Sequence, residues 1–274
     1  MAANPEPMHD RLAAQYAQRG GLLAIFGPKV ADYVASRPDY PAAMFDWLEA
    51  QGALRPGMRV ADVGAGTGLL TRDLLARGAT VLAVEPNDAM RAACDRLLAG
   101  TVGYVSAAGT AESIPAADDS LDLITAAQAF HWFDVPVARR EFDRVLKPGA
   151  AVALMWNDRV DDDALTQDTN RVFERFGGAR RAAMLGDGER REVGRFFAPH
   201  RNELWHGEHD HRLSEAGLLA LAFSRSYMPA ADSPERPAAT EALRELFARH
   251  AVDGSVVVRY RTVCHLALDW GSGV

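Results

Sequence analysis

The chain has 274 residues, 48% of them hydrophobic, and a formal net charge of −7 at pH 7. That length suits one catalytic domain with additions better than two independent domains, and the apolar share is enough to bury a substantial core. The acidic balance argues against a nucleic-acid partner, which would need clustered Lys and Arg to neutralise phosphates. Cys94 and Cys264 are far apart and give neither a disulfide framework nor a zinc spacing. The start of the chain carries Glu6 between two prolines where a signal peptide would be basic and apolar, and the apolar run at 22–26 is too short to span a bilayer. A cytoplasmic protein with no membrane partner is expected.

Helical periodicity covers residues 9–18, 28–35 and 41–51. An apolar strand then runs from Val60 into the turn Gly64-Ala65-Gly66-Thr67-Gly68, which opens a helix at Leu69. Glycines at such a turn let main-chain N–H groups approach a ligand with no β-carbon in the way, and the following helix start favours an anionic group. Leu69 stands where a dinucleotide fingerprint would have its third glycine, so the turn suits a cofactor with an adenosine and no pyrophosphate. S-adenosylmethionine is the leading candidate, with S-adenosylhomocysteine as product. Asp62, Gly64, Ala65, Gly66 and Gly68 are the cofactor-binding candidates here.

The second strand, 80–84, ends at Glu85-Pro86, about twenty residues beyond the first glycine, where an acid can accept hydrogen bonds from both ribose hydroxyls. Pro86 ends the strand, and the helix beginning near Asp88 brings Met90 toward the adenine face. A third strand at 102–106 precedes Ala111 and Glu112, expected at the adenine edge because ligands of open α/β sheets lie past the carboxyl ends of the strands. A fourth strand covers 121–126. The amphipathic stretch 136–146 ends at Lys147-Pro148-Gly149, and 150–155 reads as the fifth strand. From 157 to about 194 the composition turns charged and helical. Residues 201–213 and 256–270 read as the sixth and seventh strands, with helices at 214–223 and 238–250 between them. In the seventh, Val256, Val258, Tyr260, Thr262, Cys264, Leu266 and Leu268 share one face.

These motifs, in this order, resemble the class I S-adenosylmethionine-dependent methyltransferases, in particular the small-molecule branch of ubiquinone-biosynthesis and trans-aconitate methyltransferase-like enzymes. The resemblance rests on Asp62 to Gly68, Glu85-Pro86, Ala111 to Pro115, Ala129-Phe130-His131-Trp132-Phe133 and Arg144 to Gly149. It implies a doubly wound, Rossmann-like α/β fold with a seven-stranded, mostly parallel sheet whose last strand is antiparallel. It divides a single domain into N-terminal helices (1–52), a cofactor-binding core (53–157), a helical insertion acting as a lid (158–200) and the last two strands (201–274). It also places Tyr33 and Arg37 near the methionine end of the cofactor, Gln128 near the sulfonium and Tyr227 on the acceptor side.

Methyl transfer is an in-line displacement, so alignment dominates and a base matters only if the acceptor must lose a proton. His131 is the candidate for that base, or else a residue that shapes the pocket; histidine is the side chain that exchanges protons near neutral pH. Trp132 and Phe133 form an apolar wall or pack in the core. In the run 205–211, His209 and His211 face one way while His206, Glu208 and Asp210 face the other, so no metal site is expected. Arginines 180, 181, 190, 191 and 195 form a solvated face or supply a lid contact to a carboxylate substrate. The acceptor is a small molecule methylated at O, N or C, the oligomeric state is monomer or homodimer, and a carboxyl O-methyltransferase or an inactive cofactor-binding partner subunit are the alternatives.

Overall fold

The computed structural model describes residues 36–184 and 188–271, together with Val30 and Asp32. The expected helix at 9–18, most of that at 28–35, and Tyr33 with it lie outside the described residues. In chain order the elements are α1 (Ala42–Ala50), β1 (Arg59–Val63), α2 (Leu69–Ala76), β2 (Thr80–Val84), α3 (Asp88–Leu98), β3 (Tyr104–Ala107) and β4 (Leu121–Ala127). There follow a 3-10 turn (Phe130–Trp132), α4 (Val135–Val145), β5 (Leu146–Arg159), α5 (Ala164–Met184), α6 (Gly188–Phe197), β6 (Asn202–Leu213), α7 (Glu215–Phe223), α8 (Arg236–His250) and β7 (Val256–Trp270).

The described residues form a seven-stranded sheet in the order β3-β2-β1-β4-β5-β7-β6. β1 pairs in parallel with β2 and β4, β2 with β3, and β4 with β5, while β7 runs antiparallel to both β5 and β6. This is the expected doubly wound sheet with an antiparallel last strand. Local chemistry sets several helix starts: Asn87 Oδ1 accepts from the Ala89 and Met90 N–H groups, Asp134 Oδ1 from Val137, and Ser214 Oγ from Gly217.

Alternation along the strands divides the core. Ala61, Val63 and Ile124 face α4 and α6 with Phe130, Phe142 and Phe196. Val60, Val81 and Leu123 face α1, α2 and α3 with Phe45, Leu74 and Cys94. A third apolar cluster, with Phe173, Tyr227, Leu243 and Tyr260, joins α5, α7 and α8 to the end of the sheet formed by β6 and β7.

β5 departs from the sequence reading at both ends, starting at Leu146, which pairs with Leu121, rather than at 150. β5 does not stop at Met155 but continues through Asn157, Asp158 and Arg159, because these residues pair with Thr262, Arg261 and Tyr260 of β7. The insertion therefore begins only after Arg159. In β7 the alternation holds through Leu268, which packs with Cys264 and Leu266 against the same cluster; a register shift opposite Ala150 and Val152, with Asp269 at φ 55°, then turns Trp270 into the other cluster, fully buried.

At Gly68 the turn lies against α3. Its φ is 89°, and a β-carbon there would stand 2.6 Å from Cys94 Sγ and 3.1 Å from Leu98 Cδ1. Gly68, one position before the place of a dinucleotide glycine, thus gives the close approach that Leu69 denies. Replacing Gly68 with Ala should destabilise the protein by about 1–3 kcal/mol, the range for a residue held in a disfavoured backbone region. Denaturant unfolding checks this, and an unchanged midpoint would refute it.

Candidate active site

The carboxyl ends of β1, β4 and β5 open onto one cleft of about 480 Å³. The glycine turn forms its floor: Gly64 and Ala65 both donate N–H to the Val84 carbonyl, at 2.9 and 3.2 Å, while Gly64, Ala65 and Thr67 line the cleft. A β-carbon on Gly64 would sit 2.6 Å from the Ala129 methyl, whereas one on Gly66 would meet nothing within 4 Å. The turn is packed on one side and open at its tip, a cradle that backbone can present to a ligand. Thr67 Oγ1 is buried, lines this cradle and has no hydrogen-bond partner among the described residues.

Asp62, fully buried at the end of β1, also lines the cleft. Thr71 Oγ1 donates to its Oδ2 at 2.6 Å and Thr125 Oγ1 to its Oδ1 at 3.1 Å. Burial, which these two donors only partly offset, lifts its pKa to about 6, with a smaller push from the nearby Glu85. Glu85 is buried as well. Its Oε2 accepts from Gly66 N–H at 2.9 Å and its Oε1 from Asn87 N–H at 2.8 Å, and burial holds its pKa above the usual carboxylate value.

On the far wall Gln128 adopts φ 56°, a left-handed backbone conformation at the end of β4, and its Nε2 donates to the Asn157 carbonyl at 3.0 Å. His131, in the 3-10 turn, lines the same cleft and packs its ring 4.8 Å from that of Trp132. Arg37 and Tyr40 close one side, and Arg37 Nη2 donates to the Ser224 carbonyl at 3.4 Å. Tyr227, from the segment after α7, reaches the cleft with its ring against Phe173.

Of the sequence candidates, Arg37, Asp62, Gly64, Ala65, Gln128, His131 and Tyr227 come together on the cleft wall. The adenosine-side candidates do not. Gly66 and Glu85 bind each other, and Pro86 lies behind them, half-buried, leading into the cap of α3. Met90 and Ala111 are 3% and 2% exposed and sit in the interior. Glu112 turns its Oε1 to the Asp134 N–H at 2.8 Å, tying the β3–β4 connection to the start of α4. Trp132 packs behind His131 against the core, and Phe133 is part of that core, ringed by Phe130 and Phe142. Neither lines the cleft; of the 3-10 turn only His131 does.

Sequence reading missed Asn157, Arg159, Asn170 and Tyr260, all of which line the cleft. The available signal was the polar run 157–159 directly after an apolar strand, since strand carboxyl ends face ligands. Of the insertion arginines, Arg181 reaches the cleft, Arg195 is exposed, and the side chains of residues 180, 190 and 191 lie outside the described residues. His209 and His211 pack on Tyr260, and His211 Nε2 is 2.9 Å from the Ser36 carbonyl. Among the described residues no helix is long and apolar enough to cross a membrane.

A glycine turn between parallel strands, with acids ending the first two, defines a Rossmann-like nucleotide-cofactor protein. The family described as "Methyltransferase domain" matches residues 61–154. An uncharacterized methyltransferase of Mycobacterium bovis is 34% identical over 249 residues, spanning 90% of this chain and 96% of that protein. The ubiquinone/menaquinone biosynthesis C-methyltransferase UbiE of Shewanella is 37% identical over 117 residues, 39% of this chain and 45% of that one. A solved structure from Anaeromyxobacter dehalogenans, assigned as a type II methyltransferase, shares the fold with a TM-score of 0.56 at 24% identity, covering 84% of this chain and 96% of that one. The chain belongs to the class I S-adenosylmethionine-dependent methyltransferases, and it is an enzyme.

Asp62 carries a pH signature. A carboxylate whose folded pKa is raised adds stability below its ordinary value, near 4, and loses it as the pH rises through about 6. Stability of the ligand-free protein should therefore fall between about pH 4 and 6 by up to roughly 3 kcal/mol from this group, and Asp62→Asn should remove that slope. Denaturant unfolding across that range checks it; an identical pH profile in the variant would refute it.

Proposed function

We propose that this enzyme binds S-adenosylmethionine across the glycine turn and methylates a small molecule held between that turn and α5. The observation that carries the reading is the convergence, in one cleft, of an orphaned Thr67 hydroxyl, a buried Asp62 carboxylate and an open turn on one wall with His131 and Tyr227 on the other. When bound, the cofactor supplies a methyl carbon already activated by its positive sulfur. Asp62 accepts hydrogen bonds from its ammonium group. Thr67 donates to its carboxylate. Glu85 holds the Gly66 N–H and so fixes the shape of the turn, and each of its oxygens keeps a second lone pair for a ribose hydroxyl.

The protein's contribution to the reaction is chiefly positioning, which can supply roughly 7–11 kcal/mol of a barrier. Arg37, Gln128 and Tyr227 hold the reacting groups in line. His131 accepts a proton where the acceptor has one to lose. The enzyme works in the cytoplasm on a metabolite, without a nucleic-acid or membrane partner.

The test is incubation with methyl-labelled S-adenosylmethionine and a metabolite extract, with identification of labelled products by mass. A labelled small molecule supports the reading; label found only on protein or nucleic acid overturns it. Glu85→Ala should weaken cofactor binding by about 1.5–3 kcal/mol, the range for hydrogen bonds to a charged group, as read by calorimetry. His131→Ala should leave that affinity nearly unchanged while slowing turnover of an acceptor that must be deprotonated. Loss of cofactor affinity in the histidine variant would contradict the role given to it.

A further inference from the structure

Three arginines from separate parts of the chain meet in this cleft: Arg159 at the end of β5, Arg181 from the last turns of α5, and Arg225 just after α7. Gly178, at φ 49° and ψ −133°, kinks α5 between Asn170 and Arg181. Both Arg159 and Arg181 donate to the same neutral oxygen, Asn170 Oδ1, at 2.7 and 3.2 Å. Phe173, almost fully buried, carries Arg159 over its ring at 4.9 Å and Arg225 at 5.6 Å. An aromatic hub thus holds two guanidinium groups side by side despite their mutual repulsion.

Counter-charge is scarce at this end. Arg181 has Glu174 at 3.1 Å, but that carboxylate is 64% exposed. Among the described residues Arg159 has no carboxylate within ion-pair distance. Burial, followed by the charge of Arg225, lowers its pKa to about 10, and Tyr227, Tyr260 and Arg181 are the other groups acting on it. The acids on the cleft wall are Asp62 at the turn and Asp158 and Asp161 after it, the last exposed to solvent. Tyr260 adds a second sign of a ligand. It lines the cleft, is 1% exposed, and its buried hydroxyl has no hydrogen-bond partner among the described residues. Desolvated guanidinium groups and an unsatisfied hydroxyl are unfavourable on their own, and an oxyanion accepting from all of them offsets that cost.

We propose that this arginine cluster, with Tyr260, holds a carboxylate or phosphate group of the methyl acceptor, so that the substrate is an organic acid or a phosphate ester. The inference rests on the methyltransferase reading above and names its substrate class. Of the insertion arginines from which a carboxylate contact was expected, only Arg181 joins this cluster among the described residues; Arg159, at the end of β5, and Arg225, after α7, were not among them.

The experiment is calorimetry with succinate and with inorganic phosphate as separate probes, on protein saturated with S-adenosylhomocysteine. At least one probe should bind in the millimolar range or tighter, and the stronger one tells a carboxylate site from a phosphate site. Arg159→Gln and Arg225→Gln should each weaken that binding by about tenfold or more, while Arg159→Lys retains part of it. Arg201→Gln, which removes an exposed arginine paired with Glu203, should leave it unchanged. S-adenosylhomocysteine affinity, measured on every variant, reports that the fold is intact, and the wild-type titration decides without any variant. Binding of S-adenosylhomocysteine with no binding of either anion overturns the inference and leaves the methyltransferase reading standing, as does anion binding that survives both glutamine substitutions. Failure to bind S-adenosylhomocysteine overturns both.

Discussion

The antiparallel pairing of β5 with β7 is the constraint on which the site depends. It carries β5 past the point where β4 ends and sets Asn157, Asp158 and Arg159 against Thr262, Arg261 and Tyr260. Asn157 then ties the two walls together: its Oδ1 accepts from Thr262 Oγ1 at 2.5 Å, its carbonyl accepts from Gln128, and its Nδ2 donates to the Asp39 carbonyl at 3.3 Å. With that register lost, the polar end of β5 would have no reason to stay extended, and the acceptor wall would lose its frame. The parallel strands supply the other half of the constraint, since β1, β4 and β5 all present their carboxyl ends at one edge of the sheet.

The cleft wall carries both signs of charge, drawn from separate elements of the chain. Asp62 sits at the glycine turn, held uncharged more readily than an ordinary carboxylate by its burial. Arg37 comes from before the cofactor-binding core, whereas Arg159, Arg181 and Arg225 come from its last strand and the elements after it. Exposed ion pairs elsewhere, such as Arg201 with Glu203 or Arg244 with Glu215, are screened by water and contribute little to stability. Inside the cleft the same charges act at close range in a poorly solvated space, where they decide what is bound.

How far the sequence disclosed all this varied with the range of the interactions involved. The glycine turn, the acid ending β2, the Ser214 cap of α7 and the limits of β7 follow from local spacing and propensity, and all were legible. The extension of β5 was not, because Asn157 to Arg159 are polar residues that are extended only through pairing with a strand about a hundred positions later. For the same reason Tyr260 read as one of several apolar residues on a strand face rather than a cleft residue. The spacing that places Glu85 and Glu112 does not show that backbone N–H groups of Gly66, Asn87 and Asp134 also bond to their carboxylates. Spacing locates an acid at a strand end; it does not say which donors reach it first.

Phe173 has an evolutionary consequence. One ring supports Arg159, Arg225 and Tyr227 while also filling the cluster that joins α5, α7 and α8 to the sheet. A change at that position would disturb lid packing and ligand contacts together, so drift there is blocked by pleiotropy. Asn170, whose Oδ1 accepts from both Arg159 and Arg181, is the position where a substitution would move two guanidinium groups while leaving the Phe173 ring in place.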